Sequence, residues 1–166
     1  MNIILSGSKG AGKTTVCWEV ARWLGYVGGV IAPRRGEGTE AVNLLTGERM
    51  ELTCKEAGGG EWMPVGERFM SREGLKFAHQ AIYDAIYDPN CHLIVVDEIG
   101  LLEMQGMGLI VNTINALSSG KHNLLAVRES VIKGFLLKYG MYRFHVKQLN
   151  ENNRAEITGG LVDLLK

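Results

Sequence analysis

The chain has 166 residues, of which 46% are hydrophobic, and its 18 Lys and Arg balance 18 Asp and Glu. A domain of this size buries roughly 68–70% of the surface of its extended chain, so one core over residues 1–166 needs no disulfides. Zero formal net charge removes the general electrostatic case for nucleic acid or an anionic membrane as partner. The three cysteines, Cys17, Cys54 and Cys91, are widely spaced, which is typical of reduced thiols in a cytoplasmic protein.

The chain opens with the short apolar run Asn2–Leu5, which suits a strand covered on both faces. It lacks the basic and apolar regions of a signal peptide, and no later stretch approaches the roughly 20 apolar residues that span a bilayer. An amphipathic helix is predicted over Thr14–Leu24, because Val16, Val20 and Leu24 lie on one face of it. A glycine-rich loop therefore separates a buried strand from a helix.

That loop fits the Walker A pattern G-x-x-x-x-G-K-[ST], with the residues Gly7-Ser8-Lys9-Gly10-Ala11-Gly12-Lys13-Thr14. Such a loop turns backbone N–H groups inward at the positive end of the helix dipole, which makes a cradle for polyphosphate. Lys13 would reach the β- and γ-phosphates, and the Thr14 hydroxyl would ligate Mg²⁺. We expect the nucleotide contacts to continue to Thr15, whereas Lys9 is equally compatible with a solvated loop lysine.

The middle of the chain departs from the strand and helix alternation. Ala41–Leu45 and Arg49–Thr53 flank Thr46-Gly47-Glu48, which predicts an antiparallel hairpin. A long amphipathic helix is predicted over Arg72–Tyr87. It ends at Asp88-Pro89-Asn90, because proline disfavours helical geometry in the residue before it.

The second half returns to short apolar runs and amphipathic helices. Strands are predicted over His92–Val96 and Asn123–Val127, and helices over Met107–Leu117, Ser130–Tyr139 and Ala155–Leu165, the last with Asn153 as a candidate cap. This order predicts an α/β fold, the three-layer sandwich of P-loop NTPases with a mostly parallel sheet and an added β-hairpin.

Two acids end the run Leu93-Ile94-Val95-Val96, namely Asp97 and Glu98. If this strand is parallel to the first, Asp97 lies beside the phosphate loop and holds a water on the Mg²⁺ that Thr14 binds, in the manner of a Walker B residue. Neighbouring strand residues point to opposite faces, so Glu98 would act separately, as the base that positions the attacking water. Acids at a strand end can also be purely structural, because such ends emerge into water.

Four arginines are candidates to neutralise charge on the γ-phosphate or to contact the base. Arg34 and Arg35 follow a presumed second strand, Arg128 follows the run that ends at Val127, and Arg154 lies near the C-terminus. Arg128 has the best position, because residues at strand carboxyl ends face the nucleotide crevice. The alternative for each is a solvated or stem-packed arginine.

With these motifs the chain resembles the small P-loop nucleoside-triphosphatases first described from thermophiles, which have a human member called cancer-related nucleoside-triphosphatase. Besides the phosphate loop, the resemblance is carried by Thr46-Gly47-Glu48, Pro64-Val65-Gly66, Asp97-Glu98-Ile99-Gly100-Leu101-Leu102-Glu103 and Asn152-Asn153-Arg154. It implies Mg²⁺-dependent hydrolysis of ATP, GTP and other nucleoside triphosphates, with Glu98 in the position of the catalytic glutamate. It also implies an extra strand between the phosphate-loop strand and the Asp97 strand.

Two segments depart from the pattern of that family. Ala41-Val42 stands where the family usually has Gly-Phe, and Met104-Gln105-Gly106-Met107 replaces residues that are often aromatic. Both departures concern the shape of the pocket for the nucleotide base and leave the phosphate chemistry untouched.

Other functions share the phosphate loop. A small-molecule or nucleotide kinase normally closes an arginine-rich lid over its acceptor, and no such segment lies between Lys121 and Lys147. A slow regulatory module specific for guanine would carry N-K-x-D, which Gly120-Lys121-His122-Asn123 does not supply. A cobalamin adenosyltransferase is a further possibility with less support. The sequence identifies no protein partner.

Overall fold

The structure, a computed structural model, describes every residue from Met1 to Lys166. The strands are β1 (Asn2–Gly7), β2 (Val27–Ile31), β3 (Arg34–Arg35), β4 (Gly38–Asn43), β5 (Arg49–Cys54), β6 (Trp62–Val65), β7 (Arg68–Ser71), β8 (Leu93–Ile99), β9 (His122–Arg128) and β10 (Phe144–Gln148). The α-helices are α1 (Lys13–Leu24), α2 (Arg72–Tyr87), α3 (Leu101–Met104), α4 (Ile110–Leu117), α5 (Ile132–Tyr139) and α6 (Arg154–Leu165), with a 3₁₀ turn at Gly140–Tyr142. The predicted elements are all present, with ends shifted by a few residues.

All strands join one sheet in the order β10-β1-β9-β8-β2-β4-β5-β7-β6, with β3 paired to β4. The first five strands of this order run parallel, and we call them the parallel half. The remaining strands, β3 to β7, pair antiparallel and form the antiparallel extension. Because β9 lies between β1 and β8, the extra strand that the resemblance implied is confirmed.

Helices cover both faces of the parallel half, which makes three layers. Successive side chains of β1 alternate, so Ile3 and Leu5 pack with residues of α1 and α6 on one face. Ile4 faces the other way and belongs to the cluster that includes residues of α2, α4 and α5. The predicted α/β sandwich is confirmed. Its central strands show no alternation of apolar and polar residues, because both of their faces are buried.

The antiparallel extension is larger than the single hairpin predicted. The predicted hairpin corresponds to β4 and β5, which pair antiparallel with Ala41 opposite Met50. A second hairpin, β6 and β7, adds two more strands at the edge, where Pro64 lies opposite Phe69. Proline is tolerated there because β6 is an edge strand and its missing N–H donor costs little.

The predicted cap of the last helix is wrong. Asn153 precedes α6 but makes no side-chain hydrogen bond to the helix. Its amide instead accepts the N–H of Asn150 and donates to the carbonyl oxygen of Gln148. The Asn153 side chain therefore stabilises the loop that enters the helix and makes no bond to the helix N-terminus.

None of the helices combines the length and the apolar character required to cross a lipid bilayer.

Candidate active site

The phosphate loop connects the carboxyl end of β1 to the first turn of α1. Gly12 has φ 102°, in the left-handed region that favours glycine. A Cβ at this position would lie 2.5 Å from Nε of Arg154, so a side chain here would also displace the arginine from the loop. The backbone N–H groups of Lys9 and Gly10 donate to no protein atom, which leaves them available to an anion.

Lys13 is the buried cation of the loop, with 6% of its side chain exposed. Its Nζ donates to the carbonyl oxygens of Gly7 at 2.9 Å and Ser8 at 3.1 Å. The same nitrogen lies 3.9 Å from Oε2 of Glu98. The lysine that was predicted from the loop and the acid predicted from β8 therefore meet at one point.

Thr14 and Asp97 meet across the same crevice. The Thr14 hydroxyl donates to Oδ2 of Asp97 at 2.7 Å, and the backbone N–H of Ala32 donates to the same oxygen at 3.1 Å. Asp97 is only 2% exposed, and this burial raises its pKa to about 6 although both hydrogen bonds oppose the rise. A buried carboxylate that forms no ion pair is suited to binding a cation.

The donor set at this point fits Mg²⁺. The ion prefers hard oxygen ligands and usually keeps several waters and substrate oxygens in its shell. Because the Thr14 hydroxyl directs its proton to Asp97, its lone pairs remain available to a cation. The chain contains no cluster of three or more His, Cys, Asp or Glu that could form an all-protein metal cage.

Glu98 turns away from Asp97, toward the end of β9. Its Oε1 accepts a hydrogen bond from Nε of Arg128 at 2.5 Å, while its Oε2 faces Lys13. The pairing of β8 with β9 is irregular between Asp97 and Ile99, at the point where Glu98 is placed. With 28% of its side chain exposed, Glu98 sits at the boundary between the site and solvent.

The four candidate arginines divide into two pairs. Arg128 contacts Glu98, and Arg154 donates from Nε to the carbonyl oxygen of Ala11 at 2.7 Å, so both lie at the phosphate loop. Arg34 is exposed, and Arg35 forms an ion pair with Glu40, so neither contacts the loop.

The C-terminal part of the chain supports the loop from behind. The N–H of Leu149 donates to the carbonyl oxygen of Ser6 at 2.7 Å, and Leu149 itself is 2% exposed. A Cβ at Gly7 would lie 2.7 Å from the carbonyl oxygen of Leu149. The loop therefore rests on the segment that connects β10 to α6.

The other predicted loop contacts are exposed. Lys9 makes no hydrogen bond or ion pair, and Thr15 lies on the open face of the first turn of α1. Ser8 is also exposed, whereas Ala11 is 2% exposed and belongs to the core under the loop.

Sequence reasoning missed two groups near the site. One is the backbone N–H of Ala32, which donates a hydrogen bond to Asp97 only because β2 lies beside β8. The other is Glu103, whose buried carboxylate accepts the N–H of Gly100. Glu103 is the last acid of the sequence motif that starts at Asp97, but the motif alone does not indicate what this residue does.

The chain is similar to known proteins over nearly its whole length. A family model described as NTPase matches residues 2–162 of the chain. Nucleoside-triphosphatase THEP1 of Methanopyrus kandleri is 33% identical in an alignment that covers 66% of this chain and 63% of that protein. The protein of the same name from Methanosarcina barkeri is 28% identical, and the alignment covers 98% of this chain and 96% of that protein.

Two solved structures have the same fold. The crystal structure of THEP1 from the hyperthermophile Aquifex aeolicus aligns with a TM-score of 0.79 and 18% identity, over 100% of this chain and 99% of that one. The solution structure of a human cancer-related nucleoside triphosphatase aligns with a TM-score of 0.76 and 20% identity, over 99% of this chain and 97% of that one. With its phosphate loop, its paired acids on β8 and a family match over nearly its whole length, the chain belongs to the NTPase family.

Proposed function

We propose that this chain is a nucleoside-triphosphate phosphohydrolase that uses Mg²⁺ and releases nucleoside diphosphate and phosphate. The observation that carries the proposal is the meeting of a phosphate-loop lysine and two acids of β8 at one edge of the sheet. Lys13 lies 3.9 Å from Glu98, and Thr14 lies 2.7 Å from Asp97. The names of the THEP1 relatives support the same activity.

The phosphate loop would bind the polyphosphate tail. The free N–H groups of Lys9 and Gly10 and the N-terminus of α1 attract negative charge. Lys13 at present donates to two loop carbonyls, and an incoming phosphate offers it stronger, charge-assisted acceptors. The predicted phosphate contacts of Ser8 and Thr15 remain part of this proposal.

Thr14 and Asp97 would hold the magnesium ion, Asp97 through a bound water. When bound, Mg²⁺ neutralises charge that develops on the β- and γ-phosphate oxygens. Asp97 contributes a carboxylate whose ionisation is costly without a cation, because burial raises its pKa to about 6. A divalent ion would therefore bind more strongly as the pH rises through this range.

Glu98 would position the attacking water and accept its proton. The water oxygen attacks the γ-phosphorus, the bond between that phosphorus and the bridging oxygen breaks, and the electron pair leaves with the diphosphate. Glu98 suits this role because it faces the loop and is partly exposed to solvent.

The two cations that now hold Glu98 would also bind the substrate. Arg128 and Lys13 each approach one oxygen of its carboxylate. The γ-phosphate carries more negative charge than a single carboxylate, so it would draw both cations toward itself. Glu98 would then have an oxygen free for water, and Arg128 would stabilise charge on the γ-phosphate.

Base selection is expected to be loose. The chain lacks the N-K-x-D stretch that pairs with guanine, so the phosphate contacts carry most of the binding. ATP, GTP, CTP and UTP should all be hydrolysed, each dependent on Mg²⁺.

Phosphate release from the purified protein tests this function directly. It should be measured across the four nucleotides with and without Mg²⁺, with Lys13→Ala expected to lose binding and hydrolysis. No phosphate release from the unmodified protein with any of them would overturn the proposal.

Glu98→Gln tests the assigned base. The variant should bind nucleotide at least as tightly as the unmodified protein, since Lys13 and Arg128 lose a competing carboxylate. It should lose hydrolysis by roughly 10²–10⁴-fold, since a general base contributes this much. Glu129→Gln is the matched control, because Glu129 is an exposed acid that follows β9 near the same edge. Equal rates for Glu98→Gln and the unmodified protein would show that Glu98 is not the base.

A further inference from the structure

One buried acid near the site has no part in the proposed reaction. Glu103 is 7% exposed and lies in α3, the short helix that follows β8 directly. It forms no ion pair, although Lys13 and Arg128 both pair with the nearby Glu98. Burying a carboxylate without a cation is costly, so its surroundings must retain it through other contacts.

Those contacts are backbone groups on two sides. Oε1 of Glu103 accepts the N–H of Gly100 at 3.1 Å, and the backbone N–H of Leu109 also interacts with the carboxylate. Gly100 is the first residue after β8, and Leu109 directly precedes α4. The side chain thus joins the end of the Asp97 strand to the start of the next long helix.

The glycines around Glu103 leave room for this arrangement. Gly108 has φ 59°, and a Cβ there would overlap Oε2 of Glu103. A Cβ at Gly100 would lie 3.3 Å from Cδ and Nε of Arg128, so the arginine packs closely over that residue. Gly100 therefore donates its N–H to Glu103, and the side of Gly100 that lacks a Cβ packs against Arg128.

The position of Glu98 depends on both of these neighbours. Glu98 lies in β8 two residues before Gly100, which directly follows the strand, and Oε1 of Glu98 accepts a hydrogen bond from Arg128. Movement of Gly100 would shift the backbone at Glu98. It would also change the backbone surface against which the Arg128 side chain packs. A displacement of about 1 Å at a reacting group can lower a rate by roughly 100-fold.

We propose that Glu103 is a positioning residue that fixes Gly100 so that Glu98 and Arg128 keep the geometry needed for hydrolysis. It touches neither nucleotide nor water in this role. The inference rests on the proposed function and deepens it, because it assigns a task to the last acid of the motif that begins at Asp97.

Glu103→Gln is the first test, since it keeps the shape of the side chain but leaves only one oxygen to accept the N–H groups of Gly100 and Leu109. We expect kcat to fall roughly tenfold or more while KM stays within about twofold. Glu40→Gln is the matched control, because Glu40 is equally buried at 6% exposure but lies in the antiparallel extension. It should lose stability without a selective loss of kcat.

A pair of glycine variants tests the same idea with the carboxylate intact. Gly108→Ala should displace Glu103 and lower kcat as Glu103→Gln does. Gly106→Ala is its control, because Gly106 has φ 78° in the same loop but open space around it. The two substitutions share backbone strain and differ in the overlap with Glu103, beside which a Cβ at Gly108 meets only Cβ of Leu102 at 3.3 Å. This pair remains informative if Glu103→Gln does not fold.

A combined variant separates positioning from a general structural effect. Because Glu103 is proposed to act through both Glu98 and Arg128, Glu103→Gln should leave the residual rate within about twofold when it is added to a variant that combines Glu98→Gln with Arg128→Ala. An unchanged kcat in Glu103→Gln, or an equal further loss in that combined background, overturns the inference alone. An inactive unmodified protein overturns the proposed function itself and with it this role of Glu103.

Discussion

The parallel half and the antiparallel extension use the same sheet in different ways. In β1 and β8 nearly every residue is buried, whereas β6 and β7 contain no fully buried residue. Every side chain assigned to the phosphate chemistry lies at the carboxyl ends of parallel strands, in the loop after β1 or in the first turn of α1. The comparison teaches that the core with two covered faces carries the phosphate site and that the extension contributes no side chain to it.

Buried acids show the same contrast. In the extension, Glu40 forms ion pairs with Arg35 at 3.2 Å and Arg49 at 2.6 Å, so its charge is compensated within three strands. Asp97 near the end of β8 and Glu103 in the helix that follows it are buried without an ion pair, and burial raises the pKa of each. Acids with such shifted pKa values are concentrated at functional sites.

The largest expected effect compares a strand of the parallel half with a strand of the extension, by the cavity that a truncated side chain leaves in the core they share. Ile94 of β8 is fully buried, whereas Leu52 of β5 is 7% exposed in a half-open strand. Ile94→Ala should lower the free energy of unfolding by about 4–5 kcal/mol and Leu52→Ala by about 2–3 kcal/mol. Urea unfolding measures both, and a larger loss in Leu52→Ala would break the comparison.

The second prediction concerns the charge of Glu103. Burial raises its pKa from 4.5 to about 7, so the folded protein holds a proton that the unfolded chain has released. Stability from this group is therefore present below about pH 4.5 and is lost as the pH rises through 7. Between pH 5 and pH 8, the unmodified protein should lose up to roughly 3 kcal/mol more stability than Glu103→Gln.

Unfolding in Mg²⁺-free buffer at the two pH values measures this difference. Glu151→Gln controls for a general change of charge, because Glu151 is exposed. Parallel stability profiles for the unmodified protein and Glu103→Gln would contradict the prediction.

The third prediction separates catalysis from stability at Asp97. Asp97→Asn should weaken the magnesium dependence and lower hydrolysis by roughly 10–100-fold, as removal of an indirect metal ligand does. The free energy of unfolding of Asp97→Asn without Mg²⁺ at pH 8 should fall much less than the loss of hydrolysis would suggest. The reason is that the substitution removes an ionised group from a buried position. A magnesium titration of phosphate release checks the first part, and an unchanged midpoint would contradict it.

The smallest effect compares two lysines. Lys121 donates from Nζ to the carbonyl oxygens of Ala85 at 2.7 Å and Asp88 at 2.5 Å, where it closes the C-terminus of α2. Lys55 in the extension pairs with Glu37 at 3.6 Å, and both side chains are exposed. Lys121→Met should cost about 1 kcal/mol and Lys55→Met less than about 0.5 kcal/mol, as thermal unfolding would show.

The sequence predicted those parts of the molecule whose signal is local. The phosphate loop is a contiguous pattern, and β1, β8 and β9 are apolar runs because both of their faces are covered. β10 was missed, because its residues Phe144–Gln148 are half-exposed and alternate irregularly. The second hairpin was missed for the same reason, with only partly buried residues in β6 and β7.

The site was predicted in part. The proximity of Asp97 to Thr14 followed from two motifs and the rule that ligands bind at strand carboxyl ends. The contact of Arg128 with Glu98 depends on β9 lying next to β8, which no local pattern encodes. The contacts of Glu103 depend on a loop approach at Gly108, which is a property of the folded chain alone.

The support of the phosphate loop by Leu149 and Arg154 has a consequence for synthesis on the ribosome. Among residues 1–166 the loop is made long before its supports, because β1 has only β9 and β10 as neighbours and both are made after residue 121. Until residue 154 has emerged, the nascent chain lacks the strands and the arginine that hold the loop in shape. The loop therefore reaches its final shape late, only after β10 is in place.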